Sequence, residues 1–354
     1  MIANRWAAVL MIVLVSGLLA SCEPAKETGP PQIKILGAGS TFDAPLFKKW
    51  IEEYQKAHKD VAIKYDSVGS GEGIKRFLNQ EVDFGASDAA LTDEQMAKVA
   101  RGAKLIPATA GTIVLLYNLK GLDGLLKLPR EVYVSIFSGK ITRWNDPLIA
   151  QANPGLNLPD SAIILVTRLD SSGTTFAFTN HLGAISPTWR DRGPGVGTLV
   201  QWPKNSMTAK GNEGVAGRIK LTDGAIGYVE YGYAQRAGLP MAWLENKAGN
   251  FVQPTPESGR DTLLNTQADM PANLRMFFPD PPGQSSYPLV TYSWILLYGN
   301  YPDAKKGAVV KDFVRWGVTE GQNYAESLGY ITLPDFIRDL SVKAIGEVAI
   351  GEAN

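Results

Sequence analysis

The chain has 354 residues, 45% of them hydrophobic and 20% charged, a length too great for one small core and suited to two α/β lobes. Lysine plus arginine number 35, as do aspartate plus glutamate, so the formal charge is zero and there is no basic excess for a nucleic-acid surface. An anionic ligand would therefore need a local site rather than long-range steering by net charge.

The N-terminus carries a basic residue at Arg5, an unbroken apolar run from Trp6 to Val15, and small residues at Ser16, Gly17, Ala20 and Ser21. This pattern predicts a secretory signal peptide over 1–21. An uncleaved spanning helix is the weaker alternative, because it would need about 20 apolar residues. Cys22 is the one cysteine, so no intramolecular disulfide forms. Leu19-Ala20-Ser21-Cys22 resembles the bacterial lipobox, which implies cleavage before Cys22, its diacylation, and a membrane-anchored lipoprotein in the periplasm or at the cell surface. The proline-rich stretch over 22–32 reads as a flexible tether.

Ile33-Lys34-Ile35-Leu36 predicts a strand ended by Gly37-Ala38-Gly39. Leu46, Phe47, Trp50, Ile51 and Tyr54 recur at helical spacing, with Lys48, Lys49, Glu52 and Glu53 on the other face. A strand follows over Val61 to Tyr65, then a helix with Ile74, Phe77 and Leu78, then a strand running from Val82 to Asp88. Ile113 to Tyr117 is a further apolar strand. The theme repeats with the strand Ile163 to Val166, a turn over Arg168 to Thr174 and a helix through Phe176, Phe178 and Leu182. Ala225 to Val229 is another strand, 245–288 reads as loop-rich, and Trp294 to Tyr298 precedes a helix with Val309, Val310, Phe313, Val314 and Trp316. Strands alternating with helices predict a mostly parallel sheet built from βαβ units.

Three turns share one design: a strand end, glycine with serine or threonine, and a helix start. They are Gly39-Ser40-Thr41-Phe42, Gly69-Ser70-Gly71 and Ser172-Gly173-Thr174. Glycine admits close backbone approach, helix starts offer unpaired N–H groups, and hydroxyls add donors, so together these turns fit an anion. Taken singly, each serine or threonine is also an ordinary N-cap. Arg168, at a strand end beside Asp170, has a guanidinium that could fork onto an oxyanion, be paired by Asp170, or both.

Asp88 is the odd member of this set, since a carboxylate repels an anion unless the ligand brings a proton to donate. Inorganic phosphate keeps one at neutral pH and sulfate keeps none. An unpaired buried carboxylate facing sulfate would cost on the order of 3–5 kcal/mol. A phosphate monoester loses its last proton above about pH 6, so it too is disfavoured. The alternative role for Asp88 is a cap before Leu91-Thr92-Asp93-Glu94.

At these residues the chain resembles the phosphate-binding receptors of the phosphate-specific ABC importer, over about Ile33 to the early 340s. The strings that carry the resemblance include Gly37 to Phe42, Val82 to Asp88, Phe137 to Asp146, Ser172-Gly173-Thr174, Lys210-Gly211-Asn212-Glu213-Gly214 and Gly224 to Tyr231. The resemblance implies a type II periplasmic binding protein fold: two α/β lobes joined by two hinge crossings, with the ligand in the cleft. Lobe I is expected over 33–117 and 289–345, and lobe II over 118–288. It implies phosphate contacts from Thr41, Phe42, Ser70, Asp88, Arg168, Ser172, Gly173 and Thr174, with Asp170 supporting Arg168. It also implies delivery to the importer's membrane permease subunits, by a monomer that needs no cofactor. The chain departs from the familiar pattern at Ser40, Gly71-Glu72-Gly73 and Ser171, and Glu72 is expected to face solvent.

A secreted phosphatase is the rival from another class. It lacks a Gly-x-Ser-x-Gly elbow, a zinc motif and a nucleotide phosphate loop. The histidines, His58 and His181, read as surface or packing residues. The same fold binding sulfate or molybdate is a second alternative, and Asp88 is the feature that tells them apart.

Overall fold

The structure is a computed structural model that describes residues 32–351. The expected signal peptide, most of the tether and the lipidation site Cys22 lie outside the described residues. The main sheet has eight strands: β1 Ile33–Gly39, β2 Val61–Ser67, β3 Phe84–Ser87, β4 Ala103–Asn118, β5 Ile164–Arg168, β6 Met207–Ala209, β7 Ala225–Glu230 and β8 Val290–Tyr298. The helices that matter here are α1 Ala44–Ala57, α2 Ser70–Leu78, α3 Gly173–Ile185, α4 Gly211–Leu221, α5 Tyr231–Ala237, α6 Pro256–Thr266, α7 Ala304–Val318 and α8 Asp335–Gly346.

The strand order is β2-β1-β3-β8-β4-β7-β5-β6. Parallel pairing holds within each half, for β1 with β2 and β3 and for β5 with β6 and β7. The centre differs from the expected parallel sheet: β8 runs antiparallel to β3 and β4, and β4 antiparallel to β7. The two halves meet in β4, which pairs with β8 over Ala103–Thr112 and with β7 over Ile113–Asn118.

Only the second part of β4 was expected as a strand. Its first part contains Pro107 and Gly111, which weaken a strand signal. Pro107 is accommodated at an irregularity, where Ser293 pairs with Thr109 but Trp294 pairs with Pro107. The extra residue, Ala108, makes a β-bulge, a feature that re-aims side chains near sites. The segment expected as loop contains α6, opened by a Thr255/Ser258 capping box that its proline-rich flank obscures.

Helices pack by the apolar faces that their spacing predicts. α1 buries Leu46, Phe47, Trp50 and Tyr54, and α7 buries Val310, Phe313 and Val314. Each such fully buried aliphatic or phenylalanine side chain contributes about 1.5–3 kcal/mol relative to exposure. A smaller apolar cluster of Val114, Leu116, Val166, Val215, Ile219 and Val229 ties α4 to the other half of the sheet. Parallel strands in each half send their carboxyl ends into short turns and helix starts, where open α/β sheets hold ligands. Among the described residues, no helix is long and apolar enough to cross a membrane.

Candidate ligand site

β1 ends in Gly39, whose φ is +149° and whose Cα lies against the Ala86 carbonyl of β3: an added side-chain carbon would stand 2.0 Å from that oxygen. This close approach brings Ser40 beside Asp88, which follows β3. Asp88 is 1% exposed. Its Oδ1 accepts from Ser40 Oγ at 2.6 Å and from Ser293 Oγ at 2.8 Å, and its Oδ2 from Thr174 Oγ1 at 3.3 Å. The Asp88 N–H donates to Ser70 Oγ at 3.3 Å, leaving the Ser70 proton free to point elsewhere. Burial raises the Asp88 carboxyl above the usual carboxylate range, opposed by Ser40, Ser293, the Arg168 charge and Thr174. Asp88 is thus no helix cap: Thr92 caps the helix that follows.

From the other half, β5 delivers Arg168, 3% exposed. Its Nε and Nη2 donate to the two oxygens of Asp170 at 2.9 and 2.5 Å, and Asp170 Oδ1 also accepts from the Gly211 N–H at 3.0 Å. Burial alone would raise the Asp170 carboxyl, but these bonds and the Arg168 charge hold it below its ordinary value. The pairing with Asp170 fixes two of the Arg168 nitrogens, while Nη1 is turned to Thr174 Oγ1 at 3.5 Å. α3 begins at Gly173, and the N–H groups of Gly173 and Thr174 fall where a helix has no internal acceptors.

The predicted residues divide by what else they do. Ser172 is the N-cap of α3, its Oγ accepting from Thr175 N at 3.1 Å and its own N–H donating to Thr198 O at 2.8 Å. The Phe42 N–H donates to Ser40 Oγ at 2.9 Å, so a ligand would share or displace that bond. Thr41 Oγ1 accepts from the Asn212 N–H and Nδ2 at 3.2 and 3.0 Å. Asn212 Nδ2 also reaches Thr174 Oγ1 at 3.2 Å, so this one amide bridges the turn after β1 to the start of α3. Glu72 turns away from these groups onto Arg76 Nε at 3.0 Å, and Ser171 Oγ donates to Thr198 Oγ1 at 2.9 Å.

Three residues of this cluster were missed as site residues. Asn212 lies in a string already noted for resemblance. Ser40 lies in a noted turn. Ser293 left no local signal, being one polar residue in an apolar strand. His181 is buried between Tyr133 OH and Pro279 O, each at 2.8 Å, and burial lowers its pKa to about 4. His58 stacks on Tyr54 at 3.9 Å. Neither lies with the clustered turns. Among the described residues no group of three His, Cys, Asp or Glu side chains could hold a metal ion.

The profile of the PBP superfamily domain matches residues 24–320. A phosphate-binding protein PstS from Pasteurella multocida is 40% identical over 302 residues, covering 85% of this chain and 86% of that protein. The chain belongs to the PstS family of phosphate-binding proteins. A phosphate-binding protein PstS from Methanocaldococcus jannaschii is 34% identical and covers 96% of this chain and 93% of its own length. Among solved structures, a phosphate-binding protein from Stenotrophomonas maltophilia superposes with a TM-score of 0.71 at 22% identity, covering 88% of this chain and 94% of that one. A periplasmic phosphate-binding protein solved with phosphate superposes at 0.72 and 21% identity, covering 87% and 92%. The chain thus has the two-lobed fold of these PstS-like structures.

Proposed function

We propose that this chain binds inorganic phosphate outside the inner membrane and hands it to an ABC importer, acting by capture and release rather than catalysis. The observation that carries this is Asp88: a buried carboxylate set among hydroxyls and helix-start N–H groups, with the Arg168 guanidinium facing it across Thr174. Donors alone would suit any oxyanion. A buried acceptor among them favours one that still carries a proton, and a site built to bond a particular group rejects analogues lacking it by roughly 10⁴–10⁵. Membership of the PstS family supports the same ligand.

In this proposal Thr41, Phe42, Ser70, Arg168, Ser172, Gly173 and Thr174 donate to phosphate oxygens, Asp88 accepts the phosphate proton, and Asp170 holds Arg168 in plane. Lobe I comprises 33–117 and 289–345 and lobe II 118–288, so that β4 is one crossing and the chain entering β8 the other. Closure traps the ligand. Cys22 carries the lipid that keeps the monomer beside the permease subunits.

Isothermal titration of the ligand-stripped domain with phosphate and then sulfate tests the proposal, in wild type and Asp88→Asn. The expected result is tight phosphate binding, negligible sulfate binding, and weaker rejection of sulfate by the variant. Equal binding of both anions by the wild type would overturn it.

A further inference from the structure

Two buried aspartates stand on opposite sides of one serine hydroxyl. Ser293 Oγ is 2.6 Å from Asp43 Oδ2 and 2.8 Å from Asp88 Oδ1. A hydroxyl has one proton to donate. With both carboxyls ionised, one of these contacts would oppose lone pair to lone pair, and two like charges would share a space from which water is excluded. One of the two carboxyls therefore carries a proton.

The neighbours decide which. Asp88 has a second short donor, Ser40 Oγ at 2.6 Å, a third in Thr174, and the positive charge of Arg168 on its side. Asp43, 0% exposed, has none of these. Tyr65 OH stands 3.5 Å from Asp43 Oδ1 but donates to Ser40 O at 2.7 Å. The other titratable groups facing this region are Tyr233, whose hydroxyl donates to Thr41 O, Tyr330, whose hydroxyl donates to Phe42 O, and Glu230 at the end of β7. Arg236 lies beside Glu230. Burial, then the charge of Asp88, push the Asp43 carboxyl well above the ordinary range. Asp43 occupies the N-cap position of α1, yet its side chain makes no cap bond, so helix capping does not account for it.

We propose that Asp43 is a buried neutral acid that donates to Ser293, so that Ser293 donates to Asp88 Oδ1 and leaves Asp88 Oδ2 as the oxygen that meets a proton on the ligand. The proposal rests on the phosphate-binding role of Asp88 given above. Oδ1 takes both short serine bonds, whereas among the described residues Oδ2 has only the long one from Thr174. Asp43 is a positioning residue: it acts through Ser293 and keeps the negative charge of the pair on Asp88. Ser293 lies opposite the β-bulge that Ala108 makes in β4.

The test combines infrared spectroscopy with phosphate titration over mildly acid to mildly alkaline pH. Beside the contribution of protonated Glu230, which Glu230→Gln removes, a carboxylic-acid carbonyl component present in wild type at neutral pH should disappear in Asp43→Asn and persist in Asp88→Asn. Asparagine keeps the shape and an N–H for Ser293, so Asp43→Asn should bind phosphate within about threefold of wild type with an unchanged pH profile. Ser293→Ala breaks the relay and should weaken phosphate by about tenfold while moving the pH profile upward. Absence of the Asp43 component, or a shifted profile in Asp43→Asn, overturns the proposal. The infrared arm decides the proton's position even if the wild type fails to bind phosphate, so the two failures are told apart.

Discussion

A side-chain carbon placed on Gly173 would stand 2.7 Å from the backbone nitrogen of Asp88 and 2.6 Å from Ser70 Oγ. The start of α3 thus presses directly on the turns of the other half of the sheet, with no room for a Cβ. Backbone on that side cannot move aside as a flexible side chain could.

Gly173→Ala should therefore oppose the contact of α3 with Ser70 and Asp88 more than the fold of either half. Overpacking of this kind costs about 1–3 kcal/mol, or roughly 5–150-fold in phosphate affinity. Titration calorimetry with a parallel melting curve checks it. A full loss of Tm with no change in affinity would place the strain elsewhere.

Arg168 offers a second test, because its charge and its geometry can be separated. Arg168→Ala removes the cation and leaves Asp170 partly buried without its partner, so phosphate affinity should fall by about 2–5 kcal/mol. Arg168→Lys keeps the charge but not the fork that Asp170 holds at Nε and Nη2, and should recover only part of that loss. Equal affinity for lysine and arginine would mean that charge alone is used.

Asn212 joins Thr41 to Thr174, and its Oδ1 accepts from the Glu230 N–H at 3.0 Å. Asn212→Leu should leave that N–H buried without an acceptor, a loss of about 1–3 kcal/mol in stability. It should also weaken phosphate binding, since the bridge between the two turns is gone. Denaturant titration with and without phosphate measures both effects on one sample.

Glu230 is 0% exposed; its Oε1 accepts from the Gly232 N–H at 2.7 Å, and burial raises its pKa from 4.5 to about 8. Between these values the folded protein holds a proton that the unfolded chain has lost. Stability from this group is therefore fully present below pH 4.5 and falls as pH rises towards 8, by no more than about 1.4 kcal/mol per pH unit. Glu230→Gln should flatten that part of the stability–pH curve, measured by urea unfolding across the window. A wild-type slope unchanged in the variant would show that Glu230 is ionised in the fold.

Much of this protein is legible locally. The strand–turn–helix order around Gly39, Gly69 and Ser172 follows from hydrophobic period and turn residues, and each of those turns joins the cluster around Asp88. Asp88 could be singled out because a carboxylate is anomalous among anion-binding donors. β4 was half hidden, because Pro107 and Gly111 are compatible with its strand only through the bulge opposite Ser293 and Trp294. Asn212 lay in a string noticed for resemblance, with nothing local to say that its amide would span two turns.

The amino-acid order by itself determined the alternation of strands and helices, the chemistry offered at each turn and the residues able to donate or accept there, because these depend on neighbours a few positions away. The tertiary structure decided which of those groups meet. Ser293 reaches Asp88 across 205 positions and Asp43 across 250, and Asn212 reaches Thr41 across 171. Those meetings depend on the antiparallel centre of the sheet and on packing between its halves, where burial raises the carboxyls of Asp43, Asp88 and Glu230 above their ordinary range.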